Sequence, residues 1–269
     1  MGLVRPEKVT GLDRWWRAHR LRTGTGEAGS TSTEHAAPDD APRAAPGDGK
    51  QRVRGRRPAA WRPRSRAVVL VAAGLAGSIP FSNLAARLRA GVDLRDVGTG
   101  TVSGTALFDV AGFGALAVAG VCDVAKGAVG PVLAGPERPR LAAAATAAGV
   151  AAHNWSPWLR GAGGRGISPA LGATVVRDWP GTVTLALGLA GGRLARQTGL
   201  GSFLADLALI PVLHRTRGRA GVLMGAAIVV PLLAKRLMGN HRPARRGLGV
   251  YMERLVFDRD PDGLGRATR

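Results

Sequence analysis

The chain is short of the residues on which many enzymes and soluble domains depend. One cysteine, Cys122, stands in 269 residues, so an intrachain disulfide is excluded. His153, His214 and His241 lie far apart, no Cys/His cluster has zinc spacing, and neither metal nor cofactor is expected. Aromatic residues make up only 4 % against 45 % hydrophobic residues overall. A soluble core of this size would use more Phe, Tyr and branched aliphatics. Ala and 40 Gly fill the apolar segments instead. Small residues let helices approach closely in lipid, where van der Waals contact replaces the hydrophobic drive.

Acids are scarce as well: 18 Asp and Glu face 38 Lys and Arg, for a net charge of +20. That balance invites a nucleic-acid reading. The cations, however, crowd residues 1–66 and the segments between apolar runs. A membrane protein keeps its cations there, beside anionic lipid. Membrane lipid is therefore the expected partner and nucleic acid is not. No Ser–His–Asp or Cys–His arrangement is visible, and Asp109, Asp123 and Asp178 are not spaced as a carboxylate pair. No catalytic residue is assigned. An enzyme built this way works by positioning and charge stabilisation. No strand alternation persists and no long repeat occurs, which argues against a membrane barrel.

Three segments follow from composition. Residues 1–66 are rich in Arg, Pro, Gly, Ser and Thr and cannot bury enough surface to fold, so a disordered basic tail is expected. Within it, Trp15 and Trp16 fit either a short basic helix at a lipid surface or a solvated tail. Apolar runs then occupy 67–86, 110–134, 141–159, 167–192, 199–213 and 219–234. A clean span needs roughly 20 apolar residues, and several of these runs are shorter or carry charge. The expected fold class is an all-α polytopic membrane helix bundle over 67–240, with about six to seven transmembrane helices, some short or broken. Residues 241–269 read as a basic C-terminal tail at the membrane surface.

Charge at membrane depth is costly, so each polar cluster inside the bundle is a functional candidate. "GVDLRDVGTGTVSGTALFD" (91–109) carries Gly98, Thr99 and Gly100, with Arg95 just ahead. Its glycines let backbone N–H groups turn toward one anion, and a helix starting near Ser103 adds a positive dipole end. "CDVAKGAVGP" sets Asp123 and Lys126 one helical turn apart. They fit a structural ion pair, or a Lys126 facing an anion in a polar cavity. "AAHNWSPWLRGAGGRGIS" (151–168) opens on His153 and surrounds Arg165 with Gly163, Gly164 and Gly166. Two loops with the same device point to one shared phosphate site.

In this order, the motifs resemble those of the bacterial acyl-phosphate:glycerol-3-phosphate acyltransferases, over about residues 70–240. Gly77-Ser78-Ile79-Pro80 matches the family's Gly-Ser-Ile-Pro, and Gly98-Thr99-Gly100 its Gly-Ser-Gly. Asp123, Lys126 and Gly127 match Asp-x-x-Lys-Gly. His153 matches the histidine opening the third motif, and Gly163-Gly164-Arg165-Gly166 stands for Gly-Gly-Lys-Gly. The resemblance implies transfer of a fatty acyl group from acyl phosphate to the 1-position of glycerol 3-phosphate, giving lysophosphatidic acid and phosphate. It also implies glycerol 3-phosphate and acyl phosphate as partners, and a multi-pass cell-membrane location with the site loops facing the cytoplasm. Arg95, Gly98, Thr99, Gly100, Lys126, His153, Gly163, Gly164 and Arg165 are then the substrate residues, with Gly77, Ser78, Pro80 and Asp123 structural. Pro80 reads as a bend steering the first span toward the 91–109 loop, and Ser78 as a polar group facing the cavity.

The departures are specific. Thr101 and Ala106 stand for asparagines, Ser103 for a glycine, Asp109 for an arginine and Ala162 for a lysine. The late Arg-His-x-x-Asn has a partial echo in "KRLMGN", with Asn240 as its asparagine and no clear histidine. Each lost charge-assisted hydrogen bond costs about 1.5–3 kcal/mol, so two would weaken binding by roughly two to four powers of ten. A family-fold protein with altered or lost catalysis, binding another phosphorylated compound or lipid, stays open beside the enzyme, as does a small transporter. With one intact span at 67–86, cytoplasmic loops set the basic tail outside, against the positive-inside tendency.

Overall fold

The computed structural model describes residues 65–243 and 247–259. The expected disordered tail, with Trp15 and Trp16, lies outside the described residues.

The first helix, α1 (Arg66–Ser78), opens on Ser65, whose Oγ accepts from the Val68 amide at 3.5 Å. It stops where Pro80 follows. The residue before a proline is driven into extended backbone, and Ile79 adopts φ −65°, ψ 119°. Helix α2 (Phe81–Ala90) resumes at once and ends on Gly91. Gly-Ser-Ile-Pro is therefore a break between two helices.

A turn at Leu94–Asp96 leads to α3 (Gly104–Ala134), α4 (Pro139–Asn154), α5 (Ile167–Arg177) and α6 (Trp179–Leu194). The longest element, α7 (Thr198–Met238), precedes a short α8 (Leu248–Met252) and a π turn at Glu253–Phe257. Seven helices have ten or more residues and no strand occurs among the described residues, as the composition led us to expect.

Two of the long elements are not straight. Gly112 sits at φ 74° inside α3. A Cβ on Gly104 would lie 3.0 Å from the Leu116 side chain. Twelve residues of straight helix would separate them by about 18 Å, so the chain doubles back. Gly218, at φ 56°, does the same for α7. Gly221 then lies on the Leu213 carbonyl and Gly225 on Ile210, so the 41-residue element is a helical hairpin. Its two arms contain the apolar runs at 199–213 and 219–234.

Three stretches are long and apolar enough to cross a membrane by length and composition: Arg66–Ala90, Gly104–Ala134 and Thr198–Met238. Their outward faces expose Val71, Leu75, Phe113, Val118 and Val121. Inside, small residues set the spacing. A Cβ on Gly127 would overlap Pro169, one on Gly172 the Val124 carbonyl, and one on Gly77 the Gly149 backbone. Helix backbones thus touch where α3 meets α5 and α1 meets α4. One buried cluster joins α1, α4, α5, α6 and α7 through Val69, Val150, Ala170, Leu185, Leu209 and Leu232. A second gathers Leu94, Val102, Leu107 and Leu159. Fully burying a leucine is worth about 1.5–3 kcal/mol, so this second cluster clamps the loops on either side of α3 and α4 to each other.

Candidate active site

The helix break comes first, because other motifs satisfy it. Interrupting a helix frees carbonyls that lipid cannot solvate. Lys126 Nζ donates to the Ile79 carbonyl at 2.5 Å, and Ser156 Oγ donates to the Ser78 carbonyl at 2.7 Å. Ser78 Oγ donates to the Leu75 carbonyl at 2.8 Å and accepts from Trp158 Nε1 at 2.9 Å. Ser78 is thus buried in a bonded network, where the sequence reading had it facing an open cavity. Pro80, Lys126 and the segment after His153 form one structural unit.

Lys126 and Asp123 pair at 2.7 Å, with side chains 3 % and 4 % exposed. Ser82 Oγ donates to the other Asp123 oxygen at 2.8 Å, and the Phe81 ring centre lies 5.6 Å from the ammonium. A buried charge requires such partners, because breaking one buried pair typically costs about 3–5 kcal/mol. Of the two readings of these residues, the structural ion pair is the one present in this structure.

The two glycine loops meet. The Val102 amide donates to the Gly163 carbonyl at 3.2 Å. Asn240, just past the end of α7, clamps the junction. Its Nδ2 donates to the Gly100 carbonyl at 2.8 Å and to the Gly163 carbonyl at 3.0 Å, while its Oδ1 accepts from the Gly163 amide at 3.2 Å. The His153 ring packs under Gly164 and the His241 ring against Gly100, so closely that a Cβ on either glycine would overlap imidazole. Gly100 itself is at φ 68°, a left-handed backbone that suits glycine. Thr99 is exposed at the loop surface, and its hydroxyl pairs with the Thr101 hydroxyl at 2.9 Å. Ser103 caps α3 through its Oγ, which accepts from the Ala106 amide at 3.2 Å. Gly166 opens α5 with no side-chain cap. Two helix N-termini therefore flank the junction, a setting that favours an anion.

The cations are placed differently from one another. Arg95 lies on Asp93, with Nε at 3.1 Å from Oδ1 and a second nitrogen at 2.7 Å from Oδ2, and Arg87 joins from α2. The Arg95 side-chain bond and the Arg87 contact hold the Asp93 carboxyl well below the usual carboxylate range, against an opposing push from burial. Arg165 donates to the Lys235 carbonyl at 3.0 Å and pairs with Asp258 at 2.7 Å. Lys235 is buried, with its ammonium 5.4 Å from the Trp155 ring centre. Asp109 is exposed on the first arm of α3, and Ala106 and Ala162 pack at the second core cluster.

So the structure brings Gly100, His153, Gly163 and Gly164 together, with Gly98 and Thr99 exposed just ahead of Gly100 in the first loop. Arg95 and Arg165 face carboxylates of the chain itself, and Lys126 faces the helix break. The sequence reading overlooked His241, Lys235 and Asp258, and gave Asn240 no bonding role. The available signal was position: "GNH" follows the last apolar run just as the other polar loops follow theirs.

The fold and the junction define a membrane-embedded helix bundle with two glycine loops closed around an anion-favouring surface. A family model described as glycerol-3-phosphate acyltransferase matches residues 67–246. A glycerol-3-phosphate acyltransferase of Synechococcus sp. (strain CC9902) is 33 % identical over 198 residues, which are 72 % of this chain and 94 % of that protein. One from Thermus thermophilus is 32 % identical over 198 residues, 71 % of this chain and 94 % of the relative. The crystal structure of PlsY, an integral membrane glycerol 3-phosphate acyltransferase, in its glycerol 3-phosphate form superposes with a TM-score of 0.59 at 23 % identity, covering 68 % of this chain and 96 % of that one. The chain belongs to the glycerol-3-phosphate acyltransferase family.

Proposed function

We propose that this protein transfers a fatty acyl group from acyl phosphate to the 1-hydroxyl of glycerol 3-phosphate, releasing lysophosphatidic acid and inorganic phosphate. The closure of the two glycine loops under Asn240, between two helix N-termini, is the observation that supports this most. The glycerol 3-phosphate phosphate group lies against Gly98, Thr99, Gly100, Gly163 and Gly164. Thr99 donates its hydroxyl and Arg165 supplies formal charge. Arg95 keeps the first loop in shape through Asp93 and adds positive potential. His153, Asp123 and Lys126 support the surface from below, and Gly77, Ser78 and Pro80 form the break that Lys126, Ser156 and Trp158 hold.

The acceptor hydroxyl attacks the acyl carbonyl. A carbon–oxygen bond forms to the glycerol oxygen, and the bond from the acyl carbon to the phosphate oxygen breaks. The departing phosphate takes up the hydroxyl proton, so the step needs no protein base. Positioning and electrostatic stabilisation carry the rate. The acyl chain lies between helices, open to lipid. The protein sits in the plasma membrane with both loops facing the cytoplasm.

Purified protein given labelled glycerol 3-phosphate with palmitoyl phosphate or palmitoyl-CoA tests the donor. Lysophosphatidate from palmitoyl phosphate alone is expected, and none above a heat-killed control sinks the proposal. Thr99→Cys in a Cys122→Ser background tests sidedness. A membrane-impermeant maleimide should label it only in inverted vesicles.

A further inference from the structure

The family model stops at residue 246, but the chain continues. Helix α8 runs into the π turn at Glu253–Phe257, and the pair returns over both ends of α7 as a strap. Three ties hold it there. Arg254 donates to the His241 carbonyl at 2.9 Å and to the Met238 carbonyl at 3.4 Å. Arg236 donates to the Leu255 carbonyl at 3.0 Å. The Phe257 carbonyl packs so closely on Gly199 that a Cβ there would overlap it.

The strap ends by delivering one carboxylate. Asp258 stands in left-handed backbone at φ 54°, which aspartate tolerates better than most residues. Its Oδ1 lies 2.7 Å from Arg165 Nε, with the two side chains 24 % and 13 % exposed. Arg165 is the cation of the second glycine loop, beside the junction that Asn240 closes. The contact is one of charge, since neither Arg165 Nε nor Asp258 Oδ1 has hydrogen-bond geometry to a partner, and a phosphate would be drawn to the same positive group. The guanidinium thus already holds an anion that belongs to the protein.

We propose that Asp258 is an internal anion that competes with the acceptor's phosphate for Arg165, so that the C-terminal strap sets acceptor affinity. This rests on the two-loop phosphate site proposed above. Tethering gives the carboxylate a high effective concentration, so substrate has to displace it. A phosphate carrying nearly two charges can do so where a monoanion cannot.

Two measurements on the full-length protein in detergent test this. Asp258→Asn should lower both the KM and the calorimetric Kd for glycerol 3-phosphate about three- to tenfold, as expected for a partly exposed charge pair. Asp258→Glu should stay within about twofold of wild type. An unchanged or higher KM and Kd in Asp258→Asn overturns the proposal. The second measurement needs no variant: hydrogen exchange across 248–259 in wild-type protein should quicken with saturating inorganic phosphate. Unchanged exchange overturns the proposal even if Asp258→Asn does not fold. If no lysophosphatidate forms but glycerol 3-phosphate binding still tightens in Asp258→Asn, the transfer reaction falls and the competition stands. If neither protein binds the anion, both fall.

Discussion

Asn240 offers the sharpest perturbation of the site. Its amide makes three polar contacts that fasten the chain just past α7 to both loops, at 2.8, 3.0 and 3.2 Å, beside the bonds of Arg165 to the Lys235 carbonyl and of Lys235 to the Gly161 carbonyl. Each neutral hydrogen bond contributes about 0.5–1.5 kcal/mol net, so Asn240→Ala removes roughly 1.5–4.5 kcal/mol of loop fixation. If that loss falls on the transition state, kcat/KM for glycerol 3-phosphate drops by about one to three powers of ten. Asn240→Asp is the more telling variant. It keeps the acceptor for the Gly163 amide but turns a carboxylate toward the Gly100 and Gly163 carbonyls. It should therefore be worse than Ala despite its closer shape. The assay is initial rate against acceptor concentration with palmitoyl phosphate, with thermal unfolding in detergent followed in parallel. Activity within twofold of wild type in Asn240→Ala, or Asn240→Asp better than Ala, would refute the clamp.

Three further expectations concern the scaffold. Lys126→Met strands Asp123 and the Ile79 carbonyl, and should lower unfolding stability by about 3–5 kcal/mol, whereas Asp123→Leu with Lys126→Met should recover part of it; a double-mutant cycle in detergent reads the coupling. Gly127→Ala drives a methyl into Pro169 and should abolish folded, monodisperse protein, checked by size-exclusion chromatography. Asp93 contributes stability that is complete above the ordinary carboxylate pKa of about 4 and is lost as pH falls toward its depressed folded value. The stability gap between wild type and Asp93→Asn should thus be flat from pH 7 to about pH 5 and shrink below that, as read by acid unfolding of the two proteins.

Much of the scaffold was legible because its causes are local. Pro80 breaks its own helix, Ser103 caps its own, and the two arms of α7 already stood apart as separate apolar runs. The pairing of Asp123 with Lys126 follows from one helical turn, although spacing could not decide what else faced the lysine. That answer is the Ile79 carbonyl, freed by a break 47 positions away. Asn240 illustrates the same limit. Its partners lie 77 and 140 positions upstream, and a lone amide has no periodicity to betray it. Asp258 belonged to a tail whose composition suggested only a membrane surface. Arg165 was found by its glycines, but its carboxylate partner was invisible until the chain folded back. Long-range polar contacts carry no sequence pattern, and this site is built from them.

The central claim is transfer between two bound substrates, so product balance is its most direct test. Purified wild-type protein should convert palmitoyl phosphate and glycerol 3-phosphate into lysophosphatidate and inorganic phosphate in equal amounts, with phosphate release dependent on acceptor. Phosphate released without lysophosphatidate, or lysophosphatidate formed from acyl-CoA with no acyl phosphate present, would contradict it.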